Sequence, residues 1–540
     1  MWWKSSVVYQ IYPRSFNDTN NDGIGDIKGV IEKLDYLEYL GVNVIWICPV
    51  YPTPNKDNGY DISDYYGINP EFGTLDDIKV LIFKAKQKGI NIMMDIVANH
   101  TSSDYSWFKE AIKSKDNKYH NYYVFKDNEG NKPSDLQSIF LNSAWELNKE
   151  TNEYYLHMFD KDQPDLNWHH KPVRDEIYQM LQYWIDLGVK GFRFDVIDLI
   201  AKDLDNDIIG DGPLLHTYIK EISSKVLKKA DLITVGETWG ATTEKAKLYS
   251  NPDQSEFSMI FNFQHSLLDN EPGKEKWDLK KLNLLDLKEL FNDQQTNLYN
   301  QGWNSLFWNN HDLPRIVSRW GSDSKYRVES AKMLATLLHL MQGTPYIYQG
   351  EEIGMTNNKF ESIEDYRDIE TLNMIEDRLS RGFTMDQINK SIETKGRDNA
   401  RTPMQWNDSS NAGFSSSKPW IETNKNFQDI NVQSQIGKED SILEHYKNLI
   451  KLRRSSEYSE VIKNGTFNMI YKDNPNIFAY YRKYENQKIL VLCNFYEEEL
   501  VLDNAFDYQS IIISNYPIKE TKISKLRAYE SIVLQVSGNL

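Results

Sequence analysis

Eight short apolar runs, most separated by stretches of helical periodicity, constrain this chain more than any other feature. The runs are SVVYQIY (6–12), VNVIWIC (42–48), INIMMDIV (90–97), GFRFDVI (191–197), LITVGE (232–237), SMIFNF (258–263), NSLFWN (304–309) and TPYIYQG (344–350). Between them Leu34, Leu37 and Leu40 step by three. Ile177, Leu181 and Trp184 mark one helical face, and Met333, Leu337 and Leu340 mark another. Gly41, Gly89, Gly188 and Gly343 stand where helices should end, each just before a strand. Eight strands alternating with helices predict an α/β fold, a (β/α)₈ TIM barrel, with its site at the C-terminal ends of the strands.

A barrel needs about 250 residues, and this chain has 540, so it must carry insertions and a further unit. The polar stretch 101–167 reads as an inserted domain after strand three, and 352–420 as an insertion after strand eight. The barrel is then expected over 1–100 and 168–463. From 464 to 540 short strands separated by Asn, Pro, Asp and Gly turns predict a C-terminal antiparallel β-domain, a β-sandwich.

Composition removes several function classes. Sixty-two basic residues face 79 acidic ones, a net charge of −17, which repels phosphate backbones and anionic lipid. No nucleic-acid or membrane partner is expected. No run approaches the roughly 18 uninterrupted apolar residues of a membrane span. The segment MWWKSSVVYQIY enters a strand without the pattern of a secretory leader. Cys48 and Cys493 each sit within an apolar run and read as buried thiols of a reducing compartment. A cytoplasmic monomer is the expectation. The 69 aromatic rings serve packing first, yet their faces also suit the apolar faces of sugars.

Carboxylates stand at strand ends, where burial without a partner is costly. Asp195 closes GFRFDVI, Glu237 closes LITVGET and Asp312 closes NSLFWNNHD. Hydrolysing a glycoside with retention needs two carboxyl groups about 5–5.5 Å apart, one nucleophile and one acid/base. Arg193 lies two residues before Asp195, on the same strand face, where it can keep that carboxylate ionised. Asp195 is therefore the expected nucleophile. Glu237 precedes Trp239 by two residues and is the expected proton donor, partly desolvated by the indole. Asp312 with His311, and Asp95 with Asn99 and His100, form two further strand-end clusters. Any one of them could be a structural ion pair; four together point to chemistry.

The segments DIVANH, GFRFDVIDLI, GETW and NNHD resemble, in order, the four signature regions of the α-amylase superfamily, glycoside hydrolase family 13. QPDLNW, KGRDNARTPMQW and TPYIYQGEEIGM are similar to its oligo-1,6-glucosidase branch. HDLPR, PSDLQSIF, GATTEKAKLYSNP and FNFQHSLLDNEPGKEKWD look most like the glucan 1,6-α-glucosidases (dextran glucosidases) within that branch. The resemblance implies Asp195 as nucleophile, Glu237 as acid/base and Asp312 as transition-state stabiliser. It implies a pocket for the non-reducing glucose lined by Asp57, Tyr60, His100, Arg193, His311 and Arg397. Trp239, Lys276 and Glu370 would contact the second sugar. Val196, after the nucleophile, goes in this family with α-1,6 preference; as a residue alone it is simply a good strand former.

The function expected is exo-acting release of glucose from isomaltooligosaccharides and short dextrans, small α-glucan oligosaccharides. The competing readings are a trehalose-6-phosphate hydrolase and, further off, a sucrose isomerase or an α-1,4-glucosidase of the same family. A non-catalytic transporter subunit would carry a membrane span and lack the catalytic acids, and the sequence has the opposite of both.

DTNNDGIGD (18–26) places Asp18, Asn20, Asp22 and Asp26 at alternate positions, with the Ile24 carbonyl at the seventh. That is the first part of a Ca²⁺ loop, although Gly29 at the twelfth position excludes an EF-hand. The family carries a structural Ca²⁺ here, so Ca²⁺ is expected as the sole cofactor, with no organic one.

Overall fold

The computed structural model describes residues 1–537. Eight parallel strands form one sheet: β1 (Val8–Ile11), β2 (Val44–Ile47), β3 (Asn91–Val97), β4 (Gly191–Asp195), β5 (Ile233–Thr238), β6 (Met259–Asn262), β7 (Ser305–Leu306) and β8 (Thr344–Tyr348). The order runs β7-β8-β1-β2-β3-β4-β5-β6. A parallel bridge between Ile260 and Asn304 brings β6 to β7. The Ser305 hydroxyl donates to the Ile260 carbonyl at 2.7 Å across that seam. The predicted barrel is the observed fold.

Its strands are buried on both faces, which is why they read as nearly continuous apolar runs. Val8, Trp46, Met93, Val235, Phe261 and Tyr346 fill the interior, and alternate residues such as Tyr9, Ile45 and Phe194 pack outward under the helices. Local signals place those helices. Thr74 and Asp77 make a reciprocal capping box for Leu75–Gln87. Pro172 sits in the first turn of Lys171–Asp186, where a missing N–H costs nothing. Gly41 ends Leu34–Leu40 at φ +97°, a left-handed turn that L side chains rarely adopt. The stretch around Leu34 is two helices, Ile27–Glu32 and Leu34–Leu40, broken at Lys33.

Within 101–167, strands Phe125–Lys126, Trp145–Asn148 and Glu153–Leu156 form a small antiparallel sheet. After β8 the chain makes helices Ile369–Ser380, Met385–Lys395 and Asp398–Arg401. The C-terminal region holds a five-stranded antiparallel sheet with central strands Ile477–Tyr484, Gln487–Asn494 and Ser531–Gln535. A separate ribbon, Leu500–Phe506 with Ile523–Leu526, completes it. Arg482, fully buried, ties this sheet to the barrel side by bonding Gln295 Oε1 and the carbonyls of Ile462 and Gly465. Both cysteines are free and buried.

Candidate active site

The barrel register sets Asp95 beside Arg193 and Val97 beside Asp195, so the acids of neighbouring strands converge on one cation. Arg193 Nη1 donates to Asp95 Oδ1 at 2.8 Å and to Asp195 Oδ1 at 2.6 Å, and Nη2 binds Glu237. Arg193 is itself 1% exposed. One guanidinium therefore holds three buried carboxyl groups, with Asp195 and Glu237 on its two terminal nitrogens. Glu237 is fixed from two further sides. The Val196 amide donates to its Oε2 at 3.0 Å, and the Trp239 indole N–H donates to its Oε1 at 3.1 Å. The indole thus meets Glu237 edge-on, as a hydrogen-bond donor and not as apolar cover. Val196 reaches its position at φ +34°, ψ 46°, a region that strains a β-branched residue.

Asp312 occupies the opposite wall. Arg401 and Arg397 donate to its Oδ1 at 3.0 and 3.2 Å, and His311 Nε2 lies 3.1 Å from its Oδ2. Burial opposes ionisation of Asp312, but His311 and the arginines outweigh it and hold the carboxyl well below its usual range. Burial, opposed by Asp312 and helped by the arginines, pushes His311 down to about 3. Asp368, wholly buried, pins Arg397 through bonds of 2.9 and 2.6 Å. Arg397 then reaches Asp57 at 3.4 Å, closing one end of the site. Burial raises Asp57 to about 7 against the pull of Arg397 and Arg401. Tyr60 stacks on His311 with centroids 5.2 Å apart and donates to Asp95 at 2.9 Å. Gln163 links Asp57 and His100 at 3.2 Å each.

These groups enclose a cavity of about 350 Å³. Every sugar-contacting or catalytic residue predicted from sequence lines it except Arg193 and His311, which lie behind the lining and orient it. Lys276 and Glu370 meet there in an ion pair of 2.5 Å, in the lining that also holds Trp239. Sequence reasoning missed Ile139, Phe140 and Phe159 of the inserted region, Asp198 and Leu199 after β4, and the supporting Asp368 and Arg401. Asp198 lay in plain view inside GFRFDVIDLI; the inserted aromatics carried no local signal. Phe140 covers the Arg397 guanidinium at 5.3 Å.

Burial raises Asp195 well above the usual carboxylate range; Arg193 opposes this, and the charges of Glu237 and Asp95 add to it. Double displacement at a glycoside needs one carboxylate and one carboxylic acid.

The loop 18–26 stands apart from the cavity. Asp18 accepts from the amides of Asn20, Asn21 and Gly23, Asp22 from Ile24, and Asp26 from Thr19 and Gly29. Its donors are all oxygen, the kind Ca²⁺ takes. Among the described residues no His, Cys, Asp and Glu cluster of three or more forms a metal centre.

Cleaving an acetal with retention is what two carboxyl groups so placed accomplish, and by fold and site the protein is a glycoside hydrolase. Comparison with known proteins narrows the class: the chain belongs to the alpha-amylase family. The model of the alpha amylase catalytic domain matches residues 10–465, and that of the alpha-amylase SusG C-terminal domain matches 477–533. An oligo-1,6-glucosidase of Bacillus cereus is 49% identical over 557 residues, spanning 99% of both chains. A glucan 1,6-alpha-glucosidase of Streptococcus pneumoniae serotype 4 is 49% identical over 521 residues, 96% of each. The crystal structure of a Bacillus licheniformis trehalose-6-phosphate hydrolase superimposes with a TM-score of 0.93 at 44% identity, covering 99% of this chain and 100% of that one.

Proposed function

We propose that this enzyme is a retaining, exo-acting α-glucosidase that hydrolyses α-1,6-glucosidic bonds at the non-reducing ends of isomaltooligosaccharides and short dextrans. Asp195 attacks the anomeric carbon while Glu237 gives its proton to the departing glycosidic oxygen, leaving a glucosyl ester on Asp195. Glu237 then takes a proton from water, the water oxygen bonds to the same carbon, and Asp195 is released. Asp312, kept anionic by Arg397 and Arg401, faces the positive charge that develops on the ring.

The observation that carries the reading is the pairing of Asp195 and Glu237 on one guanidinium, in a cavity whose far end is shut by Asp57 and Arg397. A closed end admits a chain terminus and not a chain interior. Val196 and the likeness to the oligo-1,6-glucosidase and glucan 1,6-alpha-glucosidase support the linkage. Turnover of isomaltose, panose and trehalose 6-phosphate, with the released sugars identified, tests it: glucose from isomaltose and panose, with little from the phosphate ester, is expected. Dominant turnover of trehalose 6-phosphate overturns the linkage assignment. That second reading draws on the similar crystal structure. Against it, the cations lining this cavity are already neutralised: Lys276 by Glu370, and Arg397 by Asp57, Asp312 and Asp368. A phosphate on the leaving sugar would need a cation without such a partner.

We also propose that Asp18, Asn20, Asp22, the Ile24 carbonyl and Asp26 hold a structural Ca²⁺, to which their oxygen chemistry is suited. The ion would cross-link the loop without entering the chemistry.

A further inference from the structure

Asp198 plays no part in the mechanism above, yet it is 4% exposed, lines the cavity and faces the proton donor. It sits in the short helical turn Ile197–Leu199 directly after β4. Its Oδ2 accepts from the Trp239 amide at 3.1 Å and from the Gly240 amide at 3.5 Å. Those two residues form the turn that leaves β5. The same Trp239 sends its indole N–H to Glu237 Oε1 at 3.1 Å. Asp198 Oδ1 is buried without a hydrogen-bond partner, an arrangement that costs free energy and is kept only where something outweighs it. The outer face of Trp239 is open, the residue being 38% exposed, while its ring stacks on Phe263 at 4.0 Å.

We propose that Asp198 is a positioning residue for proton donation: it anchors the Trp239–Gly240 turn so that the indole N–H holds the Glu237 carboxyl in the orientation from which it delivers its proton. The proposal rests on the reading of Glu237 as acid/base. The charged groups around Asp198 are Glu237 and Asp211; Asp211 is itself paired with Lys245 at 2.7 Å and accepts from the Tyr249 hydroxyl at 2.7 Å. Burial, with Asp211 and Glu237 adding to it, pushes Asp198 up to about 7.

A proton donor matters most when the leaving group is a sugar hydroxyl and least when it is a nitrophenolate, which departs without protonation. The test compares kcat/KM for isomaltose and for 4-nitrophenyl α-glucoside in wild type, Asp198→Ala and Asp198→Asn. Asp198→Ala is expected to lower the isomaltose-to-aryl ratio at least tenfold. Asp198→Asn retains an oxygen for the Trp239 amide and is expected to return the ratio to within about threefold of wild type. A ratio within twofold of wild type in Asp198→Ala, or a ratio in Asp198→Asn as low as in Asp198→Ala, overturns the proposal. Glu237→Gln, run in parallel, must depress the ratio more than either. If it leaves the ratio intact, the proton-donor assignment fails first and the role of Asp198 falls with it.

Discussion

Replacing Glu351 by Gln should make the protein more stable at alkaline pH and not at acid pH. Glu351 follows β8 in QGEEIG and is 5% exposed. Its Oε1 accepts from the Tyr446 hydroxyl at 2.8 Å, and its Oε2 has no partner. Neighbouring Glu352, also buried, accepts from Tyr9 and Tyr36 at 2.7 and 2.6 Å. Burial, with Glu352 adding to it and Tyr446 opposing, raises Glu351 from 4.5 to about 8. The folded state therefore binds this proton more tightly than the unfolded chain does. The associated stability is complete below pH 4.5 and drains away as pH rises to about 8. At ~1.4 kcal/mol per pH unit the loss across that window reaches ~5 kcal/mol at most, since local relaxation lowers it. Gln keeps an oxygen for Tyr446 and cannot ionise. Thermal unfolding of both proteins from pH 4 to pH 9 should show Tm curves that diverge upward for Glu351→Gln above pH 5. Parallel curves would refute the claim that burial dominates at this residue.

Other perturbations separate binding from scaffolding. Phe140→Ala removes the ring over Arg397 and should raise KM for isomaltose about tenfold, the equivalent of ~1.4 kcal/mol, with kcat less affected; an unchanged KM would contradict its place in the wall. Arg482→Met strands three buried acceptors between sheet and barrel, at a cost of ~3 kcal/mol. Calorimetry should record a Tm lower by several degrees, with turnover at 20 °C retained. Chelation by EGTA should lower Tm, and added Ca²⁺ should restore it; a Tm indifferent to both would remove the ion from loop 18–26.

The barrel was legible because its strands are buried on both faces and its helices on one, so period and run length both survive in the sequence. The acids proposed for catalysis were legible for the opposite reason: Asp195 and Glu237 end apolar strands in which a carboxylate does nothing for packing. What escaped lies where tertiary placement alone confers meaning. Phe140 is one aromatic among many until the inserted region folds it onto Arg397. Asp368 looks like a helix cap, which it is, accepting from Glu370 and Thr371, while it also fixes that same arginine. The ribbon Leu500–Phe506 is mostly exposed, so it lacks the apolar alternation that revealed its neighbours. Val196 was weighed for its side chain, whereas the structure shows that its backbone amide holds Glu237.

The most direct test is to catch the glucosyl ester itself. Glu237→Gln supplied with α-glucosyl fluoride, whose leaving group needs no proton, should accumulate the intermediate because the general base for the second step is absent. Acid quench, proteolysis and mass spectrometry should then find one added glucosyl unit on the peptide containing GFRFDVIDLI, at Asp195. An adduct on another residue, or first release of β-glucose without any adduct, would contradict the account.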